Sequence, residues 1–198
     1  MWPPVLFTGK FDAPVLVIGQ NPGVFPESDW RMTAGVKLEK ISMSLDSLLE
    51  TFNINRLEDR VISDYHEDFG ESFGAKMLGK VFGSDWMDGD DFCFTNAVRC
   101  RTPENATPSE EMQHNCYMWT LKLLDMPRKA IVLVGAVARN QVLSGKMDNR
   151  LSWGVIRTLQ PSGTKVMAIK HWSAWKHDAL GLKVADVYRS RFEEMMSE

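Results

Sequence analysis

Residues 13–19 read APVLVIG, a short continuous apolar run that is rich in β-branched residues and ends in glycine. Such a run is typical of a strand that is buried on both faces of a parallel sheet. Three later stretches have the same character: Asp91–Asn96, Ala130–Gly135 and Lys165–Ile169. The sequence therefore predicts four buried strands, and these decide the fold class.

Helical patterns lie between and after these strands. We predict helices over Ser44–Phe52, over Ser109–Leu124 with Ser109 as the N-cap, after Gly135 through Val137 and Val142, and over about Val184–Met195. Strands that alternate with helices predict a three-layer α/β/α sandwich around a central four-stranded, mainly parallel sheet. The 198 residues fit a single domain, in which about 56–90 reads as an acidic insertion with one helix and two loops.

The composition restricts the class of protein. Hydrophobic residues make up 44% and charged residues 25%, which are ordinary values for a globular chain. No apolar run approaches the ~20 residues of a membrane span, and the N-terminus lacks the pattern of a signal peptide. Three cysteines, an odd number, favour reduced thiols in the cytoplasm.

Charge is distributed unevenly along the chain. The net charge is −3, but residues 1–96 carry 8 basic and 16 acidic residues, a balance of −8, and residues 97–198 carry 15 and 10, a balance of +5. This asymmetry is compatible with a basic face that binds a polyanion, and equally with two differently solvated faces.

Polar and unusual segments follow the predicted strands. In an open α/β sheet the functional groups lie beyond the carboxyl ends of the strands. The four ends deliver GQNPG at 19–23, TNAVRCR at 95–101, GAVAR at 135–139 and HWSAW at 171–175. Because three of these segments are too polar for simple turns, we predict that they form a common site.

Three of these segments also resemble motifs of one enzyme family. GQNPG is similar to the water-activating loop of the uracil-DNA glycosylase superfamily, and HWSAW is similar to its second catalytic loop. The stretch TNAVRCRTPENATPSEE at 95–111 resembles the bacterial and archaeal iron–sulfur branch. The resemblance runs from Ala13 to about Phe192 and implies a monomeric DNA glycosylase that flips out a pyrimidine, uracil or a 5-modified one, and hydrolyses its glycosidic bond.

Two residues carry the catalysis that this resemblance implies. Asn21 would hold the attacking water with its side-chain carbonyl, although Asn-Pro-Gly is also an ordinary turn sequence. His171 would stabilise the leaving base, although a lone histidine is often structural. No lysine occupies a motif position where a Schiff base could form, so we expect a monofunctional enzyme.

Another group of residues would bind the base. Asn96 can pair with a pyrimidine edge, although an amide at a strand end can also be a cap. Gln20 would contribute a contact to a pyrimidine oxygen, and Phe25 or Trp30 would stack on the base. Gly23 leaves the C5 side of the base open.

The remaining candidates would contact DNA. Arg99 and Arg101 would hold phosphates, as would Ser173, whose alternative role is a helix N-cap. Trp175 or Lys176 would enter the duplex where the base has left. The family's usual proline after the motif histidine is replaced here by Trp172, which puts the rigidity of the loop in doubt.

The cysteines do not complete the cluster of the iron–sulfur branch. Cys100 and Cys116 match its last two cluster cysteines, but the N-terminal pair has no counterpart and Cys93 lies inside a predicted strand. Since such a cluster needs four thiolates, we expect no cofactor.

Three other functions remain open at this point. One is a glycosylase for bulky modified cytosine in phage DNA, which would serve antiviral defence. Another is a non-catalytic nucleic-acid-binding relative, which Asn21 and His171 speak against. A nucleotide-binding α/β protein is the third, but GQNPG lacks the phosphate-binding GxxxxGK pattern.

Overall fold

The computed structural model describes residues 8–10, 12–21, 72–99, 102, 106–146, 151–175 and 181–197. Several sequence predictions lie outside the described residues. They concern the helix over Ser44–Phe52 and the residues Gly23, Phe25, Trp30, Cys100, Arg101 and Lys176.

The described residues form one mixed β-sheet. Its strands are β1 (Thr8–Gly9), β2 (Val15–Gly19), β3 (Phe92–Asn96), β4 (Ala130–Val134), β5 (Ile156–Thr158) and β6 (Lys165–Ile169), in the spatial order β1-β3-β2-β4-β6-β5. The four central strands are parallel and coincide with the four predicted ones. The predicted strand number is wrong, because two short antiparallel strands, β1 and β5, extend the sheet to six.

Five helices accompany this sheet in the described part of the chain: α1 (Phe73–Phe82), α2 (Glu110–Leu124), α3 (Ala136–Lys146), α4 (Trp172–Trp175) and α5 (Gly181–Ser197). Helices α2, α3 and α5 confirm predicted helices. Ser109 caps α2, since its side chain accepts a hydrogen bond of 3.2 Å from the Met112 N–H. Helix α1 lies within the segment 56–90, and the short α4 was not predicted.

The two faces of the sheet are covered by different helices. Val15 and Val17 of β2 join a core cluster with α1 and α5, whereas Leu16 and Ile18 join a second cluster with α2 and α3. Successive strand residues point to opposite faces, so a strand that is buried on both faces must be apolar throughout. This confirms the three-layer α/β/α sandwich.

The topology creates a crevice at one edge of the sheet. Strand β2 lies between β3 and β4, so the chain crosses over β2 when it passes from β3 to β4. The carboxyl ends are level, since Gly19 is paired with Asn96 and Val134 with Ile169. Ligands of open α/β sheets bind where the strand order reverses, and this edge carries the polar segments of the sequence.

Candidate active site

Gly135 brings the loops after β2, β4 and β6 together. Its φ is +90°, and its N–H donates a hydrogen bond of 2.9 Å to the Ile169 carbonyl at the end of β6. A Cβ atom on Gly135 would lie 3.3 Å from the Cβ of His171 and 3.8 Å from Oε1 of Gln20. Glycine therefore permits both the backbone conformation and the close approach of the two side chains.

The His171 imidazole has a defined tautomer. Its Nδ1 accepts a 3.2 Å hydrogen bond from the Ser173 backbone N–H and lies 2.7 Å from the Ser173 hydroxyl oxygen. An N–H donor requires a lone pair on Nδ1, so the ring proton is on Nε2. Burial lowers the pKa of His171 to about 4, which keeps the ring neutral at physiological pH. The ring is thus a neutral donor through Nε2–H.

Asn21 is held at both ends of its amide. Its Nδ2 donates a 2.9 Å hydrogen bond to Oγ1 of Thr102, and its Oδ1 accepts one of 3.2 Å from Nε2 of Gln20. The Thr102 hydroxyl in turn donates to the Ala106 carbonyl at 2.6 Å. This chain of hydrogen bonds fixes which end of the amide is the carbonyl, and a carbonyl oxygen has two lone pairs with which to orient a water.

Asn96 ends β3 beside this loop. It is only 2% exposed, and its Oδ1 would lie 2.7 Å from a Cβ on Gly19, so only glycine fits opposite it. Its Nδ2 is buried without a hydrogen-bond partner. Leaving a buried donor unsatisfied costs about 1–3 kcal/mol, so such a group calls for a partner such as a water, an ion or a ligand.

The arrangement thus combines a neutral imidazole donor, an oriented amide carbonyl and a buried amide donor at one edge of the sheet. Residues 7–180 match the uracil DNA glycosylase superfamily. The chain belongs to this superfamily. No curated protein matches it. Members of the uracil DNA glycosylase superfamily are typically DNA glycosylases, and the matched segment contains all the site residues described above.

The glycosylase fold leaves two predicted DNA contacts inside the protein. Trp175 is 3% exposed and packs 5.7 Å from the Tyr188 ring, because the single turn of α4 directs it into the core. Arg99 is 7% exposed, because the backbone N–H groups of Ala97 and Val98 bond to the β2 loop and draw this segment inward. In this structure both side chains are buried, and their contacts with DNA stay predictions.

Four of the predicted site residues lie close together. Gln20, Asn21, His171 and Ser173 come together around Gly135 and Thr102, and Ser173 is exposed beside the His171 ring. Its observed partner is His171, so the structure gives this serine a second role besides the predicted phosphate contact. Sequence reasoning did not identify Thr102 as a partner of Asn21, because 81 residues separate the two.

The described cysteines do not form a cluster. Cys93 is fully buried in β3, where desolvation raises its pKa to about 11, and Cys116 is half-buried on α2. A buried neutral thiol is a poor metal ligand. Over the part of the chain that the structure describes, no three Cys, His, Asp or Glu side chains are grouped as a metal site, and no helix is long and apolar enough to cross a membrane.

Substitution of Gly135 by alanine tests the packing at the centre of this candidate active site. Gly163 is a matched control, since its φ is +74° but no atom lies within 4 Å of the added Cβ. Both substitutions should lower the free energy of unfolding by roughly 1–2 kcal/mol, because both place alanine in the left-handed region. Only Gly135→Ala should also lower kcat/KM, by roughly 10- to 100-fold, because it displaces His171. Equal kinetic losses in the two variants, measured beside thermal unfolding, would contradict this arrangement.

Proposed function

We propose that this protein is a monofunctional DNA glycosylase that hydrolyses the N-glycosidic bond of a flipped-out pyrimidine and leaves an abasic site. The observation that carries the proposal is the neutral His171 ring with its proton on Nε2. The oriented amide of Asn21 belongs to the same candidate site. The family membership supports the same reaction.

His171 would stabilise the leaving base. When the bond between C1′ and N1 breaks, both electrons pass to the base, and negative charge develops on its O2. A preorganised N–H donor binds this charge more strongly than it binds the neutral carbonyl, so it lowers the barrier. A neutral donor suits this role because its tautomer is already set by the Ser173 N–H.

Asn21 would orient the water. Loss of the base leaves an oxocarbenium-like sugar, and the water oxygen bonds to C1′ as its proton passes to solvent or to the departing base. An amide is a poor base, so Asn21 would act by position. Its amide is already immobilised by Thr102 and Gln20.

Asn96 would select the base. Its unsatisfied Nδ2 is a donor, and it matches the O4 acceptor of uracil or of a 5-substituted uracil. The 4-amino group of cytosine is itself a donor and would meet Nδ2 unfavourably. With Nδ2 toward the base Asn96 would favour uracil-type bases, and with Oδ1 toward the base it would accept from the 4-amino group of cytosine, as the alternative of modified cytosine in phage DNA requires.

The proposal includes DNA as partner, a monomeric protein and a cytoplasmic location. The excess of basic residues in 97–198 supports binding to a polyanion. Arg101 and Lys176 stay predicted phosphate and duplex contacts, and Phe25, Trp30 and Gly23 stay predicted neighbours of the base.

An oligonucleotide panel tests the function. Single- and double-stranded substrates would carry uracil, thymine mismatches, hydroxymethyluracil, hydroxymethylcytosine or glucosylated cytosine, and abasic products would be cleaved with alkali. We expect strands that carry uracil-type bases to be cleaved only after alkali treatment. We expect borohydride to trap no covalent adduct between the protein and DNA. The double variant Asn21→Ala/His171→Leu controls for contaminating enzymes. Equal signals from this variant and the wild type on every substrate would overturn the proposal, and cleavage of cytosine derivatives alone would support the phage-defence alternative.

We also propose that the enzyme works without an iron–sulfur cluster. Only Cys100 and Cys116 stand at family cluster positions, and Cys93 is committed to the core of the sheet. The purified protein should be colourless and free of stoichiometric iron. Broad visible absorption together with about four irons per chain would overturn this, because that is the content of one complete cluster.

A further inference from the structure

Trp172 packs directly against the candidate catalytic histidine. It is the first residue of α4 and follows His171 in the chain. The imidazole and indole centroids are 4.1 Å apart with an interplanar angle of 32°, which is a close, tilted ring contact. The indole is half-buried, and it joins the core cluster formed by α1 and α5.

The six-membered ring of the indole also contacts Gly74 in the first turn of α1. A Cβ on Gly74 would be 2.8 Å from Cε2 and from Cζ2 of Trp172, and 3.3 Å from Cη2. Real Cβ atoms essentially never approach a neighbour more closely than 3.0 Å, so the space that a side chain at position 74 would need is filled by the indole. The backbone of Gly74 and the six-membered ring of the indole are therefore in direct contact. The turn itself is fixed, since the Ser72 hydroxyl accepts a 3.1 Å hydrogen bond from the Ala75 N–H.

We propose that Trp172 is a positioning residue that restricts the orientation of the His171 ring. The backbone of Gly74 fixes the position of the indole by direct contact. This proposal rests on the proposed function of His171. Ser173 holds one edge of the imidazole through Nδ1, but an edge contact leaves the ring free to tilt. The indole of Trp172 lies against the imidazole and restricts this tilt, so that the Nε2–H bond keeps one direction.

The described residues that contact the imidazole are uncharged. They include Gly135, Trp172 and Ser173. Burial alone lowers the pKa of His171. The indole is the largest of these neighbours, so its removal should admit water to the ring as well as loosen it.

The first test reads the histidine directly and needs no activity. Proton and carbon NMR of His171, assigned by comparison with His171→Leu, would follow its Cε1–H from about pH 8 to the pKa of about 4. In Trp172→Ala we expect the upfield ring-current shift of Cε1–H to disappear and the titration midpoint to move up toward 6.5. Trp172→Phe retains an aromatic face and should keep most of the shift. An unchanged His171 spectrum and midpoint in Trp172→Ala would overturn the proposal.

The second test exploits the contact at Gly74. Gly74→Ala forces the indole away and should lower kcat/KM roughly tenfold by displacing His171. Gly79→Ala, in the same helix, is the matched control, because its added Cβ would have no neighbour closer than 3.7 Å. It should leave kcat/KM unchanged.

Combining Gly74→Ala with Trp172→Phe distinguishes an effect on the position of His171 from a general loss of stability. Phenylalanine lacks the outer carbons of the indole that meet Gly74, so Gly74→Ala should cost much less in the Trp172→Phe background than in the wild type. Equal losses of kcat/KM in both backgrounds would overturn the role of Gly74 in fixing the position of the indole. A wild-type protein that is inactive on every substrate would instead overturn the proposed function, while the NMR test would still decide whether Trp172 restricts the orientation of His171.

Discussion

Replacement of His171 by leucine should lower kcat/KM on the best substrate roughly 10²- to 10³-fold, which is the scale of losing one preorganised donor in an active site. Leucine fills much of the ring's volume but offers no N–H to the leaving base. The matched control is His114→Leu, since His114 is exposed on α2 and follows none of the strand ends that form the site. Single-turnover kinetics would separate the chemical step from product release. Activity of His171→Leu within threefold of His114→Leu would contradict the role of the imidazole.

The same residue predicts the pH dependence. The pKa of His171 is lowered by burial from 6.5 to about 4, so the ring stays neutral as the pH falls through 6.5. Protonation would place a proton on Nδ1, where it would displace the N–H of Ser173 and turn the ring. Activity should therefore be lost only as the pH falls toward about 4. A kcat/KM profile with an acid limb centred near 6.5, which His171→Leu abolishes, would contradict this.

The central sheet was predictable because burial on both faces leaves a clear signal. Strands β2, β3, β4 and β6 are almost fully buried, so each is mainly a run of apolar residues. The edge strands give no such signal. Strand β5 contains an arginine and a threonine that are exposed, and β1 has only two residues. Both are defined by pairing with a neighbour, which a local pattern does not contain.

The site was predictable where a single strand end delivers a group, and unpredictable where two distant segments meet. Asn21 and His171 each follow a buried strand and Asn96 ends one, so the sheet itself brings them to one edge. The role of Thr102 depends on a contact across 81 residues. The burial of Trp175 depends on the exact turn of α4, which begins immediately after the strand.

The loop after β6 shows how a departure from a family pattern can be compensated. A tryptophan in place of the usual proline predicts a looser loop, since proline restricts the backbone. In the structure the same tryptophan packs against the histidine ring and contacts the backbone of Gly74. Side-chain packing thus supplies the restraint that the backbone lacks, and the partner residue lies 98 positions earlier in the chain.

Replacement of Asn21 by alanine should lower kcat/KM by roughly 10²-fold or more while the protein stays folded, because the water loses its preorganised acceptor. Thr102→Val is the informative companion, since it removes the hydroxyl that accepts from Nδ2 and keeps the side-chain shape. Alone it should cost roughly tenfold, because the amide can then rotate.

Combining the two substitutions gives the decisive measurement. If Thr102 acts on catalysis through Asn21, then Thr102→Val should have no further kinetic effect once Asn21 is alanine. Thermal unfolding of all four proteins in the cycle controls for damage to the loop, since the Thr102 hydroxyl also binds the Ala106 carbonyl. Additive losses would mean that Thr102 acts independently of Asn21, and near-wild-type activity of Asn21→Ala would remove the water-orienting role of Asn21 altogether.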